Sequence, residues 1–521
     1  MKTMMTKKGP WMSAGAYQWA ILLMGSFVWS DGWAAAPEGP AEPYQQLLRR
    51  IEQLEGEVRS LRQANPPSVQ VATNHNAIRL EELEQKIKVV ERKNELAAEL
   101  AQEKARTTAV VTAGPRGFQI RSADTNFVLN LRGYLQADAR YYPGDHTAGT
   151  ANDTFLLRRV QPIFEGTVFG KYDFRLLLDF ASGVNSAPGN NSFVPDAYLN
   201  ARLWPEFQVR VGKFKAPVGL ERLQSAANLE FVELGFPTQL VPNRDTGLQV
   251  HGALFNERLT YQLAVLNGSA DGGSSDQEIA DNGKEFAGRL FATPFTTSSV
   301  AGLRGLGVGV AGTFGGQSGA VRSYTTPGQQ RFFAYRTGTG LGTASPNVVA
   351  DGDHWRISPQ GYYYWGSFGL LAEYVISEQQ VRRDNGTSIH GTFRNTGWQV
   401  IGSYILTGED NSFGVLTPRS PFGVGEAGWG AWELVARVGA LETDKSAFPL
   451  FADPVASGTG VFSWGVGVNW HLNRNIKLSL DFEHSTFEQA PPTSPSPTGA
   501  VVSPLLRNGE NILFSRAQLS F

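Results

Sequence analysis

The sequence predicts an antiparallel transmembrane β-barrel of about 16 strands, preceded by a short coiled-coil helix segment. Three observations lead there: a period-2 apolar pattern beyond Gly117, a regular alternation of short and long links, and a period near 3.5 ahead of the barrel. In NIKLSLDFEH (475 to 484), Ile476, Leu478, Leu480 and Phe482 alternate with Lys477, Ser479, Asp481 and Glu483. In FSWGVGVNWHL (462 to 472), Trp464, Val466, Val468, Trp470 and Leu472 alternate with small or polar residues. Such alternation gives a strand one apolar and one polar face. Similar segments begin near residues 131, 154, 171, 194, 206, 245, 258, 284, 304, 354, 368, 397, 429, 461, 474 and 511.

The links between them favour a barrel over a sandwich. Gly170-Lys171, Trp204-Pro205, Asn256-Glu257, Gly366-Ser367 and Asn473-Arg474 are short turns, and the intervening links are long, as in barrels with short periplasmic turns and long external loops. Residues 408 to 428 break this rule, which implies either a periplasmic insertion or a misplaced strand. The ending ILFSRAQLSF puts Leu513, Ala517, Leu519 and the terminal Phe521 on one face. Aromatic runs at Tyr362, Tyr363, Tyr364 and Trp365, and at Trp429 and Trp432, suit interfacial girdles.

Composition agrees. A chain of 521 residues can close into one large barrel, charged residues make up 18% of it, and glycine reaches 58. Mean hydropathy is −0.23, which is not that of a helical membrane protein. A secreted Gly-rich soluble β-protein is the competing class. A net charge of −2 argues against nucleic-acid binding, and the absence of cysteine excludes disulfides and thiolate metal sites. The seven histidines are scattered without metal or triad spacing. GVGVAG (307 to 312) sits inside an alternating strand, where its glycines read as wall residues and not as a nucleotide turn. Asp271, Asp276, Glu278 and Asp281 share one Gly/Ser-rich loop, either solvated or able to hold calcium. No catalysis, cofactor or metal is expected.

Residues 1 to 36 read as a secretory signal: Lys2, Lys7 and Lys8, the apolar AILLMGSFVW, then small residues at WAAA, with cleavage after Ala36 or Ala34. Residues 37 to 116 are then a periplasmic coiled coil and linker. Leu47, Ile51, Leu54, Val58 and Leu61 form one seam, Asn65-Pro66-Pro67 breaks it, and Leu80, Leu83, Ile87, Val90, Asn94 and Ala97 form a second. Such seams point to oligomerisation, β-branched a and Leu d positions favouring dimers, or to an amphipathic helix lying on another surface. Residues 117 to 521 are the barrel, placed in the outer membrane of a Gram-negative-type cell against lipid and lipopolysaccharide.

Parity assigns the lumen. With Leu131, Leu135, Ala137 and Ala139 facing lipid, Arg132, Gln136, Asp138 and Arg140 turn inward, and the same count places Arg159, Arg175, Arg202, Arg210, Arg289, Arg437 and Arg516 inside. From residue 116 onward there are 26 Arg against 6 Lys, a bias suited to fork-like oxyanion contacts. Asp138, Glu165, Asp173, Asp179 and Glu433 line the same lumen, so parity establishes a wet pore and suggests anion preference. Arg158 shares parity with lipid-facing Val160 and Phe164, so either a bulge near Pro162 turns both arginines inward or Arg158 lies at the rim. The link 215 to 244 carries Lys215, Arg222 and Arg244 and follows Arg210 and Lys213. It is too apolar and helix-prone to float in water, so it folds inward as a constriction or packs as a lid over the outer rim.

GKFKAPVGLERLQSAANLEFVE, LVPNRDTGLQVHG, LLRRVQPIFEGTVFGKYDFRLLLDF, AYLNARLWPEFQVRVGKF, SYILTGED and GAWELVARV resemble the phosphate-selective porin O and P family, over roughly residues 117 to 521. The resemblance implies a trimeric 16-stranded barrel whose third and fifth loops fold inward, with an arginine ladder leading phosphate to basic residues at a constriction. On that resemblance Arg158 and Arg159 match the family's paired arginines, Arg140 matches a ladder arginine, and Asp196 matches a lumenal acid. Arg222 follows Gly-Leu-Glu, where phosphate-specific members carry lysine. Asp173 in GKYDF stands where a lysine is expected, which reverses the local field. The expected function is passive outer-membrane diffusion of small solutes, anions such as phosphate among them, by self-associated copies. The alternatives are a general non-selective porin, or an anchor tethered through its coiled coil to peptidoglycan.

Overall fold

The computed structural model describes residues 41–63, 72–144, 152–181, 193–275, 282–337, 347–384, 388–454, 456–490 and 509–521. The signal, the proline break at 65–67 and the acidic residues Asp276, Glu278 and Asp281 lie outside them. The chain divides into two units, one ending at Lys104 and one running from Ala105 to Phe521. The first contains α1 (Ala41–Gln63) and all but the last turn of α2 (Ala72–Thr107). The second opens with a hairpin, β1 (Val110–Gly114) and β2 (Gly117–Arg121), so residues expected to be linker belong with the barrel. β2 explains this, because it pairs with the first residues of the first barrel strand.

Sixteen antiparallel strands then close the wall: β3 (Val128–Tyr141), β4 (Thr154–Val168), β5 (Tyr172–Leu177), β6 (Asp196–Trp204), β7 (Phe207–Lys215), β8 (Arg244–Leu254), β9 (Leu259–Leu266), β10 (Glu285–Ala292), β11 (Leu306–Ala320), β14 (Val348–Trp365), β15 (Phe368–Asp384), β16 (Ser388–Ile405), β17 (Ala431–Glu442), β18 (Gly460–His471), β19 (Ile476–Glu488) and β20 (Glu510–Ser520). Two short strands, β12 (Tyr324–Thr325) and β13 (Arg331–Phe333), form a hairpin within the loop after β11. Each barrel strand pairs with its sequence neighbour, and β20 closes on β3 from Leu513↔Tyr141 to Ser520↔Tyr134. Closure leaves no edge to satisfy in lipid. The C-terminal Phe521 exchanges backbone hydrogen bonds with Gly133, both 3.0 Å, and meets Phe118 edge-on at 6.1 Å.

Side-chain parity follows the alternation. Leu135, Leu199, Val211, Val466, Leu480 and Leu519 are exposed on the outer face, while Gln136, Asp138, Arg437, Asp481, Glu483, Arg516 and Gln518 are buried inside. The girdle expectation needs one correction: Trp365 and Trp429 are exposed, but Tyr362 packs on Phe291 at 5.2 Å and stacks on Phe413 at 5.4 Å. Consecutive aromatics in a strand face opposite sides, so a run of four cannot all reach lipid. The link after β16 is long, as the sequence implied, and packs back under the barrel. Asn411 Nδ2 donates to Ser403 Oγ at 2.7 Å, and Phe422 lies edge-on to Trp470 at 5.2 Å.

The two arginines on β4 share a bulge. Gln136 pairs with Arg159 and Ala137 with Leu157, leaving Arg158 as the extra residue, and both guanidinium groups point inward. This is the bulge alternative from the sequence, placed directly at Arg158.

Two external loops fill the barrel. Residues 216–243 enter from β7, and the β12–β13 loop covers the outer end. Phe214, Val218, Phe236, Leu240 and Val241 pack with Phe332, Phe333, Tyr335, Phe393 and Phe451 in one apolar cluster. A second anchor is electrostatic. Arg356 on β14, fully buried, bonds Asp271 at 2.8 Å, the carbonyl of Ser269 at 2.8 Å, and Glu285. Arg356→Ala should lower stability by about 3–5 kcal/mol by stranding two buried carboxylates. Lys445→Ala, at the exposed pair with Glu488, should leave the midpoint unchanged; thermal unfolding in detergent compares the two.

Candidate functional site

A loop inside a barrel must find partners for its backbone, and the wall provides them. Gly219 starts the inward turn at φ 81°, and a Cβ there would come within 2.8 Å of Val241. The amides of Leu220 and Glu221, in the short helix α3 (Leu220–Leu223), donate to Glu373 on β15 at 2.8 and 3.4 Å. Further along, Gln136 of β3 donates to Ala226 O at 3.0 Å and Gln518 of β20 to Ala227 O at 2.9 Å. Lys477 of β19 donates to Leu229 O at 2.7 Å, and Asn469 of β18 donates to Glu230 O at 2.8 Å. The Val232 amide donates to Asp481 at 2.6 Å. The inward polar parity of the strands is thus a set of sockets for the loop.

At the tip of the loop, Glu233 gathers cations. It accepts from Arg140 at 3.0 Å and from Arg158 at 2.6 and 3.1 Å, and its carbonyl accepts from Arg437 at 2.8 Å. Burial would raise the Glu233 carboxyl, but Arg158 and Arg140 outweigh it and hold the group far below its ordinary range. Arg437 also bonds Glu483 at 2.5 Å and lies over the Phe231 ring at 4.4 Å.

Beside this clamp is a cavity of about 590 Å³. Six of the sequence-selected residues border it: Arg140, Arg158, Arg159, Lys215, Arg222 and Arg244. Three of these have no carboxylate partner among the described residues. Arg159 donates to Gln136 Oε1 at 2.8 Å, Lys215 to Gln224 O at 2.7 Å, and Arg222 to Thr238 O at 2.5 Å. Burial, reinforced by the nearby Arg244 charge, pushes Arg222 down to about 10. Arg244 is neutralised by Asp196 at 2.7 Å. The acids Asp179, Glu221, Glu233 and Asp271 border the same space.

The other three selected residues lie away from that cavity. Arg175 bridges Glu165 at 2.5 Å and Asp196 at 3.2 Å. Arg210 lies over Tyr198 at 4.5 Å and Phe214 at 5.7 Å. Lys213, buried near the end of β7, does not border the cavity. Asp173 is also remote from it, held by Arg202 at 2.9 Å and Thr167 at 2.8 Å. The field reversal expected there is cancelled by a neighbour from β6.

Sequence reasoning missed Glu233, which lay in an apolar-looking run, and Arg322 and Arg331, which enter the cavity lining from the loop after β11. The arginine excess was the available signal for the last two. On the side of the short turns, Glu230, Glu433, His471 and Lys477 border a smaller pocket of about 30 Å³, together with Asn411 and Ser412 of the long link. Among the described residues Glu230 Oε2 has no hydrogen-bond partner, and burial together with the Glu433 charge pushes its carboxyl up to about 8.

A closed barrel with an apolar exterior, a polar interior and a loop across its lumen is the architecture of a membrane channel. The chain belongs to the phosphate-selective porin O and P family, whose sequence profile matches residues 129–495. It is an outer-membrane channel for small solutes. A comparison with curated proteins finds no match. Among solved structures, the chain is similar to OmpT, an outer membrane protein of Vibrio cholerae, at 12% identity and a TM-score of 0.46, covering 76% of this chain and 98% of that one. It is similar to the outer membrane channel DcaP of Acinetobacter baumannii at 12% identity and a TM-score of 0.46, covering 78% and 99%. It is also similar to an anion-selective porin from Comamonas acidovorans at 12% identity and a TM-score of 0.43, covering 76% and 100%.

Two outcomes follow from these contacts. Glu233→Gln should raise the chloride-over-potassium permeability ratio several-fold, because Arg140 and Arg158 lose their counter-charge; reversal potentials measure it. Glu230, at about 8 when folded against an ordinary 4.5, keeps its proton in the folded state alone between those values. Stability is therefore greatest at the acid end of that window and falls as pH rises through it. Glu230→Gln should flatten the slope in thermal unfolding between about pH 5 and about pH 9.

Proposed function

We propose that this channel passes small anions, phosphate among them, by passive diffusion through the cavity beside the inward loop. The observation that carries the reading is the trio Arg159, Lys215 and Arg222, which face one cavity of about 590 Å³ without a carboxylate bonded to any of them among the described residues. Buried cations lacking counter-ions favour an anion arriving from water, and guanidinium forks fit tetrahedral oxyanions. Arg140 and Arg158, held by Glu233, shape the passage and set its width. Several weak sites in sequence favour transit over trapping. The barrel works as self-associated copies, three per assembly, in lipid and lipopolysaccharide, with the N-terminal helices in the periplasm and within reach of peptidoglycan.

The acids in the same lining support a second reading, a porin with little ion preference. Reversal potentials of the purified protein in a planar bilayer under a KCl gradient, repeated with phosphate on one side, separate the two. An anion-selective potential with phosphate-blocked chloride current supports the first; an unselective one supports the second. Arg159→Ala combined with Arg222→Ala should lower anion selectivity about fivefold, equivalent to about 1 kcal/mol.

A further inference from the structure

Among the described residues, the short-turn end of the barrel is covered on one side and open on the other. On β16 to β20 the inward side chains at this end, Ser403, Glu433, Asn469, Lys477, Ser479 and Gln518, are all buried. On β3 to β6 their counterparts meet water: Arg132 and Arg202 keep nearly half of their side-chain surface exposed, and Glu165, Asp173 and Arg175 about a quarter. Both sides share the same inward parity, so the strand pattern does not account for the difference.

Two segments cover the first side. From above, the inward loop places the carbonyls of Leu229 and Glu230 on Lys477 and Asn469. From below, the 408–428 link is tied to successive turns. The Asn411 amide donates to Gly366 O at 2.7 Å, Ser367 Oγ to Glu409 O at 3.0 Å, the Phe422 amide to Leu472 O at 2.6 Å, and Arg474 to Thr417 Oγ1 at 3.1 Å. Between loop, link and wall only the pocket of about 30 Å³ is left, room for about two water molecules and too little for a hydrated ion.

On the open side a chain of alternating charges leads away from the large cavity. Arg244, at the cavity, bonds Asp196 at 2.7 Å, and Asp196 also bonds Arg175 at 3.2 Å. Arg175 bonds Glu165 at 2.5 Å, and Glu165 bonds Arg132 at 3.2 Å. Each arginine shares a carboxylate with the next, which weakens its hold on an anion, while the five N–H donors of a guanidinium leave some for a passing solute.

We propose that the 408–428 link is a plug that, with the inward loop, seals the β16 to β20 side of the short-turn end, so that solutes leave the cavity along β3 to β6, past Arg175 and Arg132. The proposal rests on the reading of the cavity as the passage.

The chain has no cysteine, so single thiols report on each side in the full-length protein in a planar bilayer. An anionic methanethiosulfonate should lower the single-channel current of Arg132→Cys and Arg175→Cys and leave that of Ser403→Cys and Ser479→Cys unchanged. Replacing residues 410–427 by a Gly-Gly turn should raise conductance about twofold, by adding a second exit, and let the reagent reach Ser403→Cys. Asn411→Ala combined with Phe413→Ala, which loosens the link at full chain length, should act in the same direction. Current block through Ser403→Cys in the intact chain, or unchanged conductance in both link variants, would overturn the plug. Silence at both Arg132→Cys and Arg175→Cys would overturn the exit. The same thiol pattern in a channel without anion preference would support the proposal and remove only the anion reading.

Discussion

The structure depends on the need to satisfy the backbone of residues 216–243 inside a barrel. A segment without extended secondary structure, buried among strands, exposes amides and carbonyls that each cost about 1–3 kcal/mol when unpartnered. Gln136, Gln518, Lys477, Asn469, Asp481 and Glu373, drawn from β3, β20, β19, β18 and β15, answer them one by one. The loop is therefore held across the lumen by many modest bonds, and the apolar cluster around Phe236 and Leu240 closes its return to β8.

That seating determines which cations remain available. Where the loop brings an acid to the wall, as Glu233 does, Arg140 and Arg158 become scaffold. Where it brings only carbonyls, as Gln224 and Thr238 do, Lys215 and Arg222 lie near Arg159 with no carboxylate bonded to either among the described residues. Loop placement and pore electrostatics are thus one arrangement, and a change in the first alters the second. The Asp196 carboxylate, shared by Arg175 and Arg244, bounds the cluster on the β6 side.

The underside is organised differently. The long link after β16 reaches Phe413 up to Tyr362, and the Phe413 carbonyl accepts from Gln224 at 3.3 Å. Gln224 is the residue whose own carbonyl holds Lys215. The insertion that broke the rule of short turns therefore supports the loop from below.

Much of this was legible from residue order. All sixteen strands, the alternation of links and the exceptional segment at 408–428 follow from local periodicity, because a strand with one wet and one apolar face must alternate. At Arg158 the sequence left two alternatives, a bulge near Pro162 or a rim position, and only the strand register decides for the bulge. What periodicity lacks is distance between residues far apart in sequence. Glu233 meets Arg140 and Arg158 across 93 and 75 positions, and Asp173 is neutralised by an arginine from another strand. The sequence by itself determined the barrel, its faces and a surplus of inward cations. Only the tertiary structure decided which of those cations are paired, because pairing is set by where one loop lies across the lumen, and local sequence does not encode that position.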